Sequence, residues 1–261
     1  MKSGAPVGPD LTATPDRGPL SRAWRLAGEG ENLVLVAALA AMLLLPVAEI
    51  LMRHTFNTGI SGSSAIVQHL TLIVGMLGGA IAARDGRLLA LSPVQTLLTG
   101  RARVGAKIFS SGFAAAICFF LCLASMQYVL EVKPLGKILV YGIPVWVIQL
   151  VLPLGFGLIT LRLLWHASEK WRWRGVALVL AAVVAGVAVW SPGSPERWMV
   201  PGLVALGLAT LLGAPVFTAL GGAALMLFWG HDLPIQAVPL KHYSLTTNDM
   251  LPSIPIFTLA G

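Results

Sequence analysis

The stretch LVLVAALAAMLLLPVAEILM, Leu33–Met52, holds a single charged side chain, Glu49, in 20 residues. At about 1.5 Å per helical residue this run reaches about 30 Å, the thickness of a bilayer's hydrocarbon. Lipid offers no partner to a backbone N–H or C=O, so a segment of this kind must satisfy its own hydrogen bonds, and an α-helix does so. Four further apolar stretches follow, at about Ala65–Ala83, Ile108–Leu130, Ile138–Leu161 and a shorter Val176–Trp190, each bounded by charged or Gly/Pro-containing linkers. Charged residues make up only 11% of the chain and mean hydropathy is +0.81, against about a quarter charged in soluble proteins. The expected fold class is therefore all-α, a polytopic helical membrane protein.

A last apolar tract, Met199–Trp229, is too long for one span and is interrupted by Gly213-Ala214-Pro215. Proline removes a backbone donor and clashes with the preceding turn, which predicts a helix break at Gly213 and Pro215. Residues 1–30, rich in Gly, Pro, Ser and Thr with mixed charges, are too polar for a core and are expected to form a mobile tail. The start lacks a positive n-region, a short apolar stretch and a small-residue cleavage site, so the first span is expected to be retained.

The net charge of +7 does not point to nucleic acid, because the 18 Lys and Arg fall in short clusters between apolar runs. They read instead as topology. With the amino terminus in the cytoplasm, Lys2, Arg17, Arg22, Arg25, Arg84, Arg87, Arg101, Arg103, Lys107, Arg162, Lys170, Arg172 and Arg174 lie inside. Arg53, Lys133, Lys137, Arg197 and Lys241 lie outside. That asymmetry is the positive-inside pattern. Tryptophans 146, 165, 190, 198 and 229 fall near span ends, where an indole prefers the headgroup layer.

Few residues invite chemistry. Cys118 and Cys122 share a helix face but have no His or further Cys nearby, so they read as packing residues. Gly59-Ile-Ser-Gly62 matches a short intramembrane serine-protease pattern. It precedes a span instead of lying inside one, and Ser61, Ser63 and Ser64 read as N-caps of the second helix. No phosphate-binding loop occurs, and no enzyme activity is expected. Glu49 and Arg53, spaced i, i+4, can pair on one face, serving either as an interface anchor or in partner docking. Gln68 with His69 at the start of the second helix, and Arg84 with Arg87 at its end, present the same alternatives, the arginines also being able to snorkel to phosphates.

From Glu31 to about Trp165 the chain resembles the small membrane subunit (DctQ-like) of tripartite ATP-independent periplasmic (TRAP) transporters. The resemblance rests on Glu49 with RHTF at Arg53–Phe56, on GMLGGAIAARDGR, and on GIPVWVIQLVLPLGFGL. It departs at SSAIVQHL and at Arg87, where the family often has an aromatic-rich, acidic start and a histidine. LLGAPVFTALGGAALML and MLPSIPIFTLAG are similar to the opening segments of the family's large subunit (DctM-like).

The resemblance implies a tail at 1–30, a four-helix small-subunit domain at 31–170 and a connector helix and loop at 171–197. It implies an incomplete start of a large subunit at 198–261. It further implies a scaffold component of sodium-coupled uptake of small organic acids such as C4-dicarboxylates, in a bacterial inner membrane. The implied partners are the remainder of the large subunit, a periplasmic solute-binding protein and lipid, with no nucleic acid; no cofactor is expected in this chain. A membrane assembly protein without transport activity is the alternative. Gly75, Gly78 and Gly79 are expected to allow close helix contact.

Overall fold

The computed structural model describes residues 19–90, 98–167, 171–189 and 195–248, and among them every regular element is a helix. Helix α1 runs Pro19–Phe56, α2 Ser63–Arg84 and α3 Gly100–Val132. Helices α4, Val145–Gln149, and α5, Val151–His166, follow one another almost without interruption. Then come α6, Trp171–Val189, α7, Pro195–Leu211, α8, Val216–Gly230, and α9, Ala237–Thr246. Among the described residues, four segments are long and apolar enough to cross a membrane: Leu26–Phe56, Ser63–Arg84, Gly100–Leu135 and Val145–His166. The chain is an all-α polytopic membrane protein.

Two boundaries differ from expectation. Residues 19–30, expected in the tail, are the opening turns of α1, while residues 1–18 lie outside the described residues. Once the apolar span is helical, adding turns costs little. The fourth span begins at Val145, not near Ile138. Ile138 and Pro144 pair across a tight loop in which Tyr141 takes a left-handed φ of 60° and Gly142 one of 78°. Pro144, without an N–H, then serves as the N-cap.

The spans form a series. Helix α1 packs along α2, α2 along α5, and α5 along α3, which also carries α6, α8, α7 and α9. Depth of burial follows this order: 67% of the apolar window of the third span is buried against 6% of the first. The core therefore sits on α3, around Ala114, Ala115, Ala116, Cys118 and Leu121. Small residues make this possible, since the driving force between helices in lipid is close packing. A Cβ at Gly112 would stand 2.9 Å from the backbone oxygen of Ala177, and one at Gly155 2.5 Å from the Met76 side chain. Nothing lies within 4 Å of the Cβ positions of Gly75 and Gly78, and Gly79 meets only Ile159 at 3.6 Å. Gly202 on α7 and Gly230 on α8 come as close, at 2.8 and 2.7 Å from methionine side chains, so the tight glycine contacts fall on α3, α5, α7 and α8 and not on the glycine-rich run of α2.

The long apolar tract divides into α7 and α8. Gly213 adopts φ 99°, the Ala214 N–H closes on the Ala209 carbonyl, and Pro215 caps α8. Val216 N–H donates to the Leu89 carbonyl at 2.9 Å and Ala90 pairs with Pro215, so this turn is tied to the loop that leaves α2.

Candidate functional site

The described residues place two polar junctions at opposite ends of an otherwise apolar bundle. The first lies at the basic end. Glu31, on the opening turns of α1, receives Arg84 Nη1 at 3.1 Å on one carboxylate oxygen and Arg162 Nη2 on the other. One acid therefore joins α1, α2 and α5. Arg84 spends its remaining donors on the Gly28 carbonyl at 3.0 Å, Asn32 Oδ1 at 2.9 Å and Asp85 Oδ1 at 3.0 Å. Its side chain is 26% exposed, so its guanidinium belongs to an interhelical knot and is not simply stretched to lipid phosphate. Arg162, at 13% exposure, is deeper still, and its Nη1 is buried without a partner. Arg87 is exposed in the turn after α2 and stands outside the knot.

Antiparallel helices explain why these three meet. Glu31 starts the first span, while Arg84 ends the second and Arg162 lies near the end of the fourth, so all three fall at one membrane level. Sequence reasoning used Arg162 only for topology and Glu31 only as a boundary. The available signal was the coincidence of one acid and two bases at the same end of three spans.

The second junction lies at the other end. The ring of His69, on α2, is 94% buried, that is 6% exposed. Its Nδ1 stands 2.7 Å from the Ala65 carbonyl, an acceptor, so Nδ1 carries the hydrogen and Nε2 of the neutral ring accepts. Tyr243, on α9, accordingly donates its hydroxyl to His69 Nε2 at 2.7 Å. Gln149, on α4 and 2% exposed, donates from Nε2 to the hydroxyl of Tyr128 on α3 at 2.8 Å. The rings of Tyr128 and Tyr243 are 6.2 Å apart, and nearby Gln236 Nε2 donates to Glu131 Oε1 at 2.7 Å. Four elements converge here.

Glu49 and Arg53 pair on α1 at 2.6 Å. Ser63 is not an N-cap: Gly62, at φ 75°, occupies that position without a side-chain cap. Its left-handed backbone is one that glycine adopts without strain. Gln68 Nε2 donates to Ser64 Oγ at 3.3 Å, within α2. Gly213 and Pro215 sit in the turn between α7 and α8 described above.

None of these groups forms a nucleophile with its base, and the junctions act by holding helices. A cavity of about 460 Å³ between α3, α6, α7 and α8 is lined by Phe113, Ile117, Trp198, Leu225 and Met226, surfaces that suit hydrocarbon.

Comparison with known proteins agrees with this architecture. The profile of the family described as tripartite ATP-independent periplasmic transporters, DctQ component, matches residues 42–173. The ectoine TRAP transporter small permease protein TeaB of Halomonas elongata is 27% identical over 154 residues, which cover 59% of this chain and 80% of that protein. With half of its length matched by that profile, the chain belongs to the DctQ-component family of TRAP transporters.

Proposed function

We propose that this chain is the bracing component of a sodium-coupled uptake system for small organic acids, a membrane scaffold against which a large permease subunit moves. The family is one of transporters and not of enzymes, and membership implies association with a large permease subunit and a periplasmic binding protein. It also makes the chain a multi-pass inner-membrane component of a TRAP system. The observation that carries the bracing reading is the Glu31–Arg84–Arg162 knot, which fixes three spans at one level. A brace must resist shear between its helices, and a carboxylate shared by two guanidinium groups does so with directional bonds.

The similarity of LLGAPVFTALGGAALML to large-subunit openings supports reading residues 198–261 as the start of a fused large-subunit domain, with α6 as its connector. The amino terminus then lies in the cytoplasm, as the basic residues suggest. C4-dicarboxylates are the solute class proposed here; the relative of Halomonas elongata is named for ectoine.

The test is uptake of labelled succinate and of labelled ectoine by cells with and without the gene, in sodium and in potassium buffer. Sodium-dependent succinate uptake that disappears with the gene is the expected result. Loss of ectoine uptake alone would replace the solute class, and unchanged uptake of both would favour an assembly protein without transport activity.

A further inference from the structure

We propose that His69 and Tyr243 are positioning residues whose buried hydrogen bond fixes α9, with the α7–α8 hairpin behind it, on the four-span unit. Its direction follows from which atoms can donate. Ala65 offers only a carbonyl to His69 Nδ1, which leaves His69 Nε2 as an acceptor for the Tyr243 hydroxyl.

The order therefore runs Tyr243 to His69 to Ala65. Beside it, Tyr128 accepts from Gln149 Nε2 at 2.8 Å, and its ring lies 6.2 Å from that of Tyr243.

The location gives this chain its consequence. The family match covers residues 42–173 and so includes His69, Tyr128 and Gln149, whereas Tyr243 lies beyond it. Helix α9 has only ten residues, Ala237–Thr246, and touches α3, α2 and α8. So short a helix has little apolar area with which to define its own register, and buried polar groups that lack partners are costly. A displaced α9 leaves His69 Nε2 without the Tyr243 hydroxyl, which penalises other registers.

The measurement is hydrogen–deuterium exchange of the full chain in lipid nanodiscs, followed peptide by peptide. Tyr243→Phe keeps the ring and removes only the hydroxyl, and is expected to speed exchange across residues 237–248 about tenfold, with α3 and α5 unchanged. His69→Leu, which removes the acceptor, is expected to do the same, although residue 69 is on another helix, and the double variant with Tyr243→Phe to exchange no faster than either single one. His69→Gln, which retains an acceptor, is expected to stay within about twofold of the parent and so serves if the other variants do not fold. Unaltered α9 exchange in Tyr243→Phe, a uniform rise over all helices, or additive effects in the double variant would each overturn the proposal, as would tenfold faster α9 exchange in His69→Gln.

Discussion

Glu31 shows how much depends on a single side chain at a helix crossing. Remove it and Arg162, only 13% exposed, is left with no carboxylate, while Arg84 retains Gly28, Asn32 and Asp85. Glu31→Ala should therefore cost about 2–3 kcal/mol, between the value of an exposed ion pair and that of a buried one. Arg84→Ala leaves Glu31 paired with Arg162 and should cost less. Adding Arg162→Leu to Glu31→Ala should recover part of the loss, because the stranded charge is gone. Thermal unfolding of the four variants in one detergent tests this, and a double variant as weak as the sum of the singles would contradict it. At the other end of α1, Arg53→Ala should lower recovery of the assembled complex of the full-length permease in pull-downs, and Glu49→Ala should partly restore it. Wild-type recovery throughout would make the pair an anchor of α1 alone.

At the scale of elements, close approach is the controlling variable. Gly112→Ala places a methyl group 2.9 Å from a backbone oxygen of α6, which cannot rotate aside as a side chain can. It should destabilise by about 1–3 kcal/mol. Gly78→Ala meets nothing within 4 Å and should be neutral or slightly stabilising, since alanine is the better helix former. Melting temperatures of the two variants decide the matter. The contrast also marks what was legible beforehand. Four spans and the division of Met199–Trp229 could be read from apolar length and from Pro215, because both are local. Which glycine touches a neighbour, and that Arg84 meets Arg162 through Glu31, depends on helix rotation and pairing order, which residue spacing within one helix does not encode. Tyr243 was invisible for the same reason: its partner His69 is 174 positions away.

For the whole molecule, orientation is the first thing to establish. Reporter fusions after Gly30, Arg103 and Arg172 should signal cytoplasm and one after Gly59 periplasm. A periplasmic signal at Arg103 would contradict the proposed orientation. The polarity of the bundle also bears on its birth. Arg84 follows Glu31 by 53 residues and Arg162 follows it by 131. At about 5–20 residues per second, translation separates the acid from its deepest partner by roughly 7–26 s. During that interval the nascent chain carries a carboxylate at the membrane edge whose final partner has not been made. A ribosome that stops before the fourth span leaves an acid without one of its two bases. The knot thus closes only when the last of its three spans has entered the bilayer, while the helices that follow are still to be made.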